Sequence, residues 1–190
     1  KNTNYTQEET NAVNSFIHYA SRLSDEGNKA LSSKAASEIL KYTKAENQLH
    51  FRVGAIQILS KNDGASFTKT LIKESKNLNL TYTGAVLDAA SKNLGPEEVS
   101  KWLKAYKSAD TETKIQIIRL LEQRNEPDVL DRCLQPGLIN SDVNVRITAI
   151  KSLVYQEKSK VLPLLIEGLK KENSPEELQA IEETLLRTCT

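Results

Sequence analysis

Apolar residues recur at steps of three and four along most of the chain. In residues 141–153 they stand at Val143, Ile147 and Ile150, with Val154 just beyond. That spacing gathers them on one face of a helix. Ser141 or Asp142 can cap the helix, because a short side-chain oxygen accepts from the free N–H groups of the first turn. Ala149 is small enough to let a neighbouring helix come close.

The same pattern occurs three more times upstream. Aligning Arg146 with Lys114, Thr83 and Arg52 gives spacings of 32, 31 and 31 residues. Beside them stand Ile147, Ile115, Gly84 and Val53, then Ile150, Ile118, Leu87 and Ile56. Leu153, Leu121, Ala90 and Leu59 close each copy. A fixed period in this range marks a solenoid, in which each unit is too small to bury its own apolar face and stacks on the next.

Other helices alternate with these copies. Residues 6–25 form the first, with Thr6 and Glu9 at capping-box spacing and Val13, Phe16, Ile17, Ala20 and Leu23 as its stripe. Residues 28–43 form the second, with Leu31, Ala35, Ile39 and Leu40 inward. Asn62-Asp63-Gly64 and Gly95-Pro96 are turn signals, and Pro136-Gly137 is a stop after the helix opened by Pro127. Trp102 lies with Val99, Leu103 and Tyr106 on one stripe, and Val161, Leu165, Ile166 and Leu169 form another. Ser174-Pro175-Glu176-Glu177 starts the last helix.

The intervening helices keep the period too, with Ala35, Phe67, Val99, Val129 and Val161 spaced by 32, 32, 30 and 32 residues. The expected fold is all-α: a right-handed α-α superhelix of about eleven antiparallel helices. It reads as a single repeat domain over residues 1–190, with a capping helix at 1–27 and repeats at 28–62, 63–94, 95–125, 126–157 and 158–190.

Asp142, Val145-Arg146, Ala149 and Leu153 together resemble the second helix of a HEAT-like repeat, of the short variety found in phycobilisome-lyase-like bacterial repeat proteins. Asp110 with Lys114, Asn79 with Thr83, and Gln48 with Phe51-Arg52 and Ala55 are degenerate copies. The resemblance covers roughly residues 28–189 and is specific for fold rather than for function. It implies a structural ladder between adjacent repeats, to which Asp110, Lys114, Asp142 and Arg146 could contribute.

Composition narrows the function. There are 26 basic and 25 acidic residues, interspersed, for a net charge of +1. That lacks the basic excess of a nucleic-acid or membrane-surface binder. No apolar run is long enough to span a bilayer. Cys133 and Cys189 fall in different repeats and read as small apolar residues, not as a disulfide. The chain begins at Lys1 without methionine, which fits a removed signal peptide and a cloning boundary equally, and ends at Thr190 inside or just after a helical pattern. It is therefore expected to belong to a longer chain, secreted or periplasmic rather than cytoplasmic.

Candidate chemistry is sparse. His18 and His50 lie in different helices, without further ligands at metal-binding spacing. There is no phosphate loop, GxSxG elbow or HExxH motif. The acidic pairs Glu97-Glu98 and Glu176-Glu177 sit in first turns, where they complement the helix dipole. No catalytic residue, metal or cofactor is expected. An enzyme of the HEAT-like DNA glycosylase or lyase kind is the alternative, and the net charge offers it little counterion release.

Positions opposite the apolar stripes form three rows on the second helices. One is Gln57, Asp88, Arg119 and Lys151; another is His50, Thr81, Glu112 and Asn144; the third is Lys61, Lys92, Gln123 and Tyr155. In most such solenoids these helices line the concave face. The mixed signs suit a protein or peptide partner, or a neighbouring domain of the same chain, better than phosphate. The expectation is a non-catalytic interaction or spacer module within a larger bacterial protein.

Overall fold

The computed structural model describes residues 11–171 and 174–189. Among them there are helices and turns and no strand. The expected Thr6–Glu9 capping box lies outside the described residues. The chain divides into two compact units, Lys1–Glu98 and Val99–Thr190.

The first unit holds α1 (Ala12–Asp25), α2 (Lys29–Tyr42), α3 (Leu49–Asp63), α4 (Thr68–Glu74) and α5 (Leu80–Ser91). α6 (Pro96–Lys107) contains the division. The second unit continues with α7 (Thr111–Leu121), α8 (residues 127–138), α9 (Val143–Ser152), α10 (Lys158–Leu169) and α11 (Pro175–Cys189).

Helix starts follow the polar signals. Asn79 Oδ1 accepts from Tyr82 N at 3.0 Å, and Asp110 Oδ1 accepts from Thr113 N at 2.8 Å. Asp142 Oδ1 accepts from Asn144 N at 2.8 Å and Val145 N at 3.3 Å. Ser174 and Glu177 cap reciprocally: Glu177 N donates to Ser174 Oγ at 3.3 Å, and Ser174 N donates to Glu177 Oε2 at 3.1 Å. Each such cap is worth about 1 kcal/mol.

Three details differ from the sequence reading. Asn62 and Asp63 still belong to α3, and the chain turns at Gly64, whose φ is +50°. Pro136-Gly137 does not stop α8, which runs on to Leu138. A π-helical segment, Leu130–Leu134, precedes the proline. Its wider hydrogen-bond spacing tolerates the missing N–H and eases the ring past the preceding carbonyls. In α9 and the turn after it the deepest residues are Val145, Ala149, Ser152 and Leu153, whereas Val143, Ile147 and Val154 are only half-buried. α9 packs against α7, α8 and α11 at once, so a single stripe does not describe it.

Within each unit the second helices of successive hairpins pack directly on one another: α1 on α3 and α3 on α5, then α7 on α9 and α9 on α11. Gly137 allows a close helix approach, since a Cβ there would lie 2.7 Å from Ala149 Cβ. Leu31, expected inward, is exposed, as are Ile166 and Leu169. Ser32 takes the inward place next to Leu31, its hydroxyl donating to Ala20 O at 2.7 Å.

Candidate binding grooves

One sequence register, residues 52, 83, 146 and 177, supplies several polar ties between elements and turns. Thr83 Oγ1 donates to Asn77 O at 2.8 Å, and Arg146 Nη1 donates to Asn140 O at 2.8 Å. Both carbonyls lie six residues upstream, in the turn before the helix. Arg146 Nη1 also reaches Ser141 O at 3.0 Å, while Nε and Nη2 clasp the two oxygens of Glu177, the latter at 3.0 Å. Glu177 lies 31 residues on, at the equivalent place one repeat later. Its carboxyl is held below the usual carboxylate range, first by the Arg146 guanidinium, against the opposing effect of burial.

Arg52 performs the same task with a different set. Its Nη1 donates to Leu40 O and Thr43 O, both at 2.7 Å, which satisfies carbonyls at the end of α2. Its Nη2 donates to Glu74 Oε2 at 2.7 Å, and Nε to Tyr82 Oη at 3.2 Å. The Tyr82 hydroxyl closes the network by donating to Glu74. Burial and then that carboxylate raise the phenol above the ordinary tyrosine range.

Each arginine–glutamate pair helps form the floor of a groove. In the second unit a cavity of about 750 Å³ opens between α8 and α10, with Arg146, Glu177, Ile150 and Ile181 beneath it. Its rim carries Asp131, Glu167 and Lys171, and the exposed Ile139 stands at its edge. In the first unit a cavity of about 590 Å³ opens between α2 and α4, over Arg52 and Glu74. Its rim carries Lys41, Lys44 and Lys73.

Residues 99–186 match the family described as HEAT repeats. Residues 99–186 are thus HEAT-like repeats, and the all-helical fold of the described chain supports a HEAT-like repeat protein. HEAT repeats generally mediate protein interaction or scaffolding and are typically non-catalytic. Comparison with curated proteins and with solved structures gave no match.

The repeat register explains where the expected ladder residues sit. Asp110 and Asp142 cap their own helices, Lys114 Nζ lies 5.9 Å from the centre of the Tyr106 ring, and Arg146 pairs with Glu177. As partners of the two arginines, Glu74, Tyr82 and Glu177 escaped the sequence reading. Glu177 was signalled by its spacing of one period from Arg146; Glu74, on an intervening helix, had no such signal.

All twelve row residues are exposed. Gln57, Lys61 and Lys92 share a shallow groove of about 470 Å³ between α3 and α5, with Asn93 and Ser60 at its base. There Asn93 Nδ2 donates to Ser60 Oγ at 2.9 Å. Arg119, Lys151, Glu112, Asn144 and Tyr155 belong to the second unit, where Lys151 pairs loosely with Glu183 at 3.7 Å. His50 lies against Phe51, their ring centres 3.8 Å apart. Cys133 is buried and Cys189 exposed, both as free thiols. Among the described residues no cluster of three potential metal ligands occurs, and no helix is long and apolar enough to cross a membrane.

Proposed function

We propose that this HEAT-like repeat protein is a non-catalytic interaction or spacer module within a larger bacterial protein, whose second helices hold a protein or peptide partner. The observation that carries this reading is the exposure of all three rows, with Gln57, Lys61 and Lys92 around one groove. These rows alternate cations, acids and amides, which favours a partner of patterned charge over a phosphate backbone. The five-repeat division of one domain belongs to the same proposal. Successive repeats would add weak contacts, and their sum would set affinity.

Photo-crosslinking tests it. A crosslinking amino acid at Gln57 or at Lys151 should capture one discrete partner in the native cell, and the same group at Lys34, outside the rows, should not. Equal capture at all three sites would sink the assignment of this face.

A further inference from the structure

We infer that the groove between α2 and α4 is a receptor for an acidic, leucine-containing peptide segment of a partner protein. The inference rests on the reading of the chain as an interaction module, but it places a second contact surface away from the rows.

The argument begins with charge. Across the whole chain the signs nearly cancel, yet this groove gathers Lys41, Lys44 and Lys73 on its rim. All three are exposed, and none has an ion-pair partner among the described residues. The acid that lines the cavity with them is Glu74, and its carboxylate is engaged by Arg52 and Tyr82. The carbonyls of Leu40 and Thr43 at the end of α2 are likewise taken by Arg52. The groove's own acid is thus committed to the Arg52 network, and the three exposed lysines form a cationic rim, with Lys41 Nζ 5.1 Å from the centre of the Tyr42 ring.

Shape and polarity then select the occupant. The cavity is about 590 Å³, enough for a few side chains, and apolar groups including Leu40 line it. Leu78, one residue beyond the lining residue Asn77, is 94% exposed. Carboxylates on the rim and leucines on the apolar surface satisfy both halves. A nucleic acid would use the rim and leave the leucines unused. The equivalent groove of the second unit repeats the arginine–glutamate floor but carries Asp131 and Glu167 against Lys171 on its rim. Both floors set an arginine of the repeat register against a glutamate, although Glu74 and Glu177 stand at different places in the repeat, and the basic rim belongs to the first unit's groove.

The test is fluorescence anisotropy on the whole chain with a labelled peptide of alternating glutamate and leucine, at low salt. The peptide should bind, and replacing its glutamates by glutamine should weaken binding at least about tenfold. Reversing the rim (K41E, K44E and K73E together) should do the same and leave the circular dichroism spectrum unchanged. K61E with K92E, on the second-helix face, should have no effect. Should the triple reversal disturb the fold, K41Q, K44Q and K73Q replace it. Absence of peptide binding, or binding that survives rim reversal, overturns the proposal. Loss only in K61E with K92E overturns it too and leaves the second-helix reading standing. A thymidine oligonucleotide binding more tightly than the peptide through the same lysines would replace the peptide by a phosphate ligand.

Discussion

Arg146 and Glu177 face each other across one repeat, joined through two guanidinium nitrogens, with the glutamate side chain only 5% exposed. Arg146→Ala leaves that carboxylate buried without its cation and releases the carbonyls of Asn140 and Ser141. The expected loss is about 3 kcal/mol, at the low end for a buried pair because Arg146 is itself a quarter exposed. Urea denaturation of the two proteins checks it.

The same pair gives the stability of the chain an acid dependence. The folded-state pKa of Glu177 is depressed, so its contribution is fully present above the unfolded value of about 4.3. It is lost as pH falls through the lower folded value. The stability gap between the wild type and Glu177→Gln should therefore be constant near neutrality and close below about pH 4. A gap unchanged down to the acid limit would mean that the charge of Glu177 contributes nothing.

In the first unit Arg52 and Tyr82 contribute unequally. Tyr82→Phe removes one hydroxyl while Glu74 keeps its bond to Arg52 at 2.7 Å, for a cost of about 1 kcal/mol. Arg52→Ala strands Glu74 and two carbonyls, and should cost at least twice as much. Thermal melts of the two variants should separate accordingly; equal shifts would place the weight on the phenol.

Two glycines predict opposite signs. At Gly137 a methyl group would meet Ala149 Cβ at 2.7 Å and the Tyr106 hydroxyl at 3.3 Å, so Gly137→Ala should destabilise by about 1–3 kcal/mol. Adding Ala149→Gly should recover part of that loss. At Gly84, exposed within α5, an added Cβ meets nothing within 4 Å. Gly84→Ala should stabilise by about 0.5–1 kcal/mol. Chemical denaturation resolves both.

The thiols should react in two phases. Burial pushes the Cys133 thiol up to about 12, while Cys189 is exposed. In the native protein at neutral pH a thiol reagent should modify Cys189 promptly and Cys133 only on unfolding. Two thiols reacting at one rate would contradict the burial of Cys133.

The repeat period, the helix order and the helix starts were legible in the sequence because each depends on contacts a few residues apart. Asn79, Asp110, Asp142 and Ser174 cap groups two or three positions ahead, and apolar spacing marks a helix wherever it packs. The depth of each apolar residue was not legible. Leu31 and Ile166 stand at helical spacing and are exposed, because their helices turn the adjacent positions, Ser32 and Leu165, inward instead.

The sequence by itself thus determined an all-α repeat fold with its register and its exposed rows, all consequences of periodic local chemistry. Only the tertiary structure decided that Arg146 meets Glu177 and that Arg52 meets Glu74 and Tyr82. Only it opened the two grooves beside those pairs, with a basic rim on one. Such pairings join residues 22 to 31 positions apart, and apart from the one-period spacing of Glu177 nothing in the sequence selects which acid the packing of helices brings within reach of an arginine.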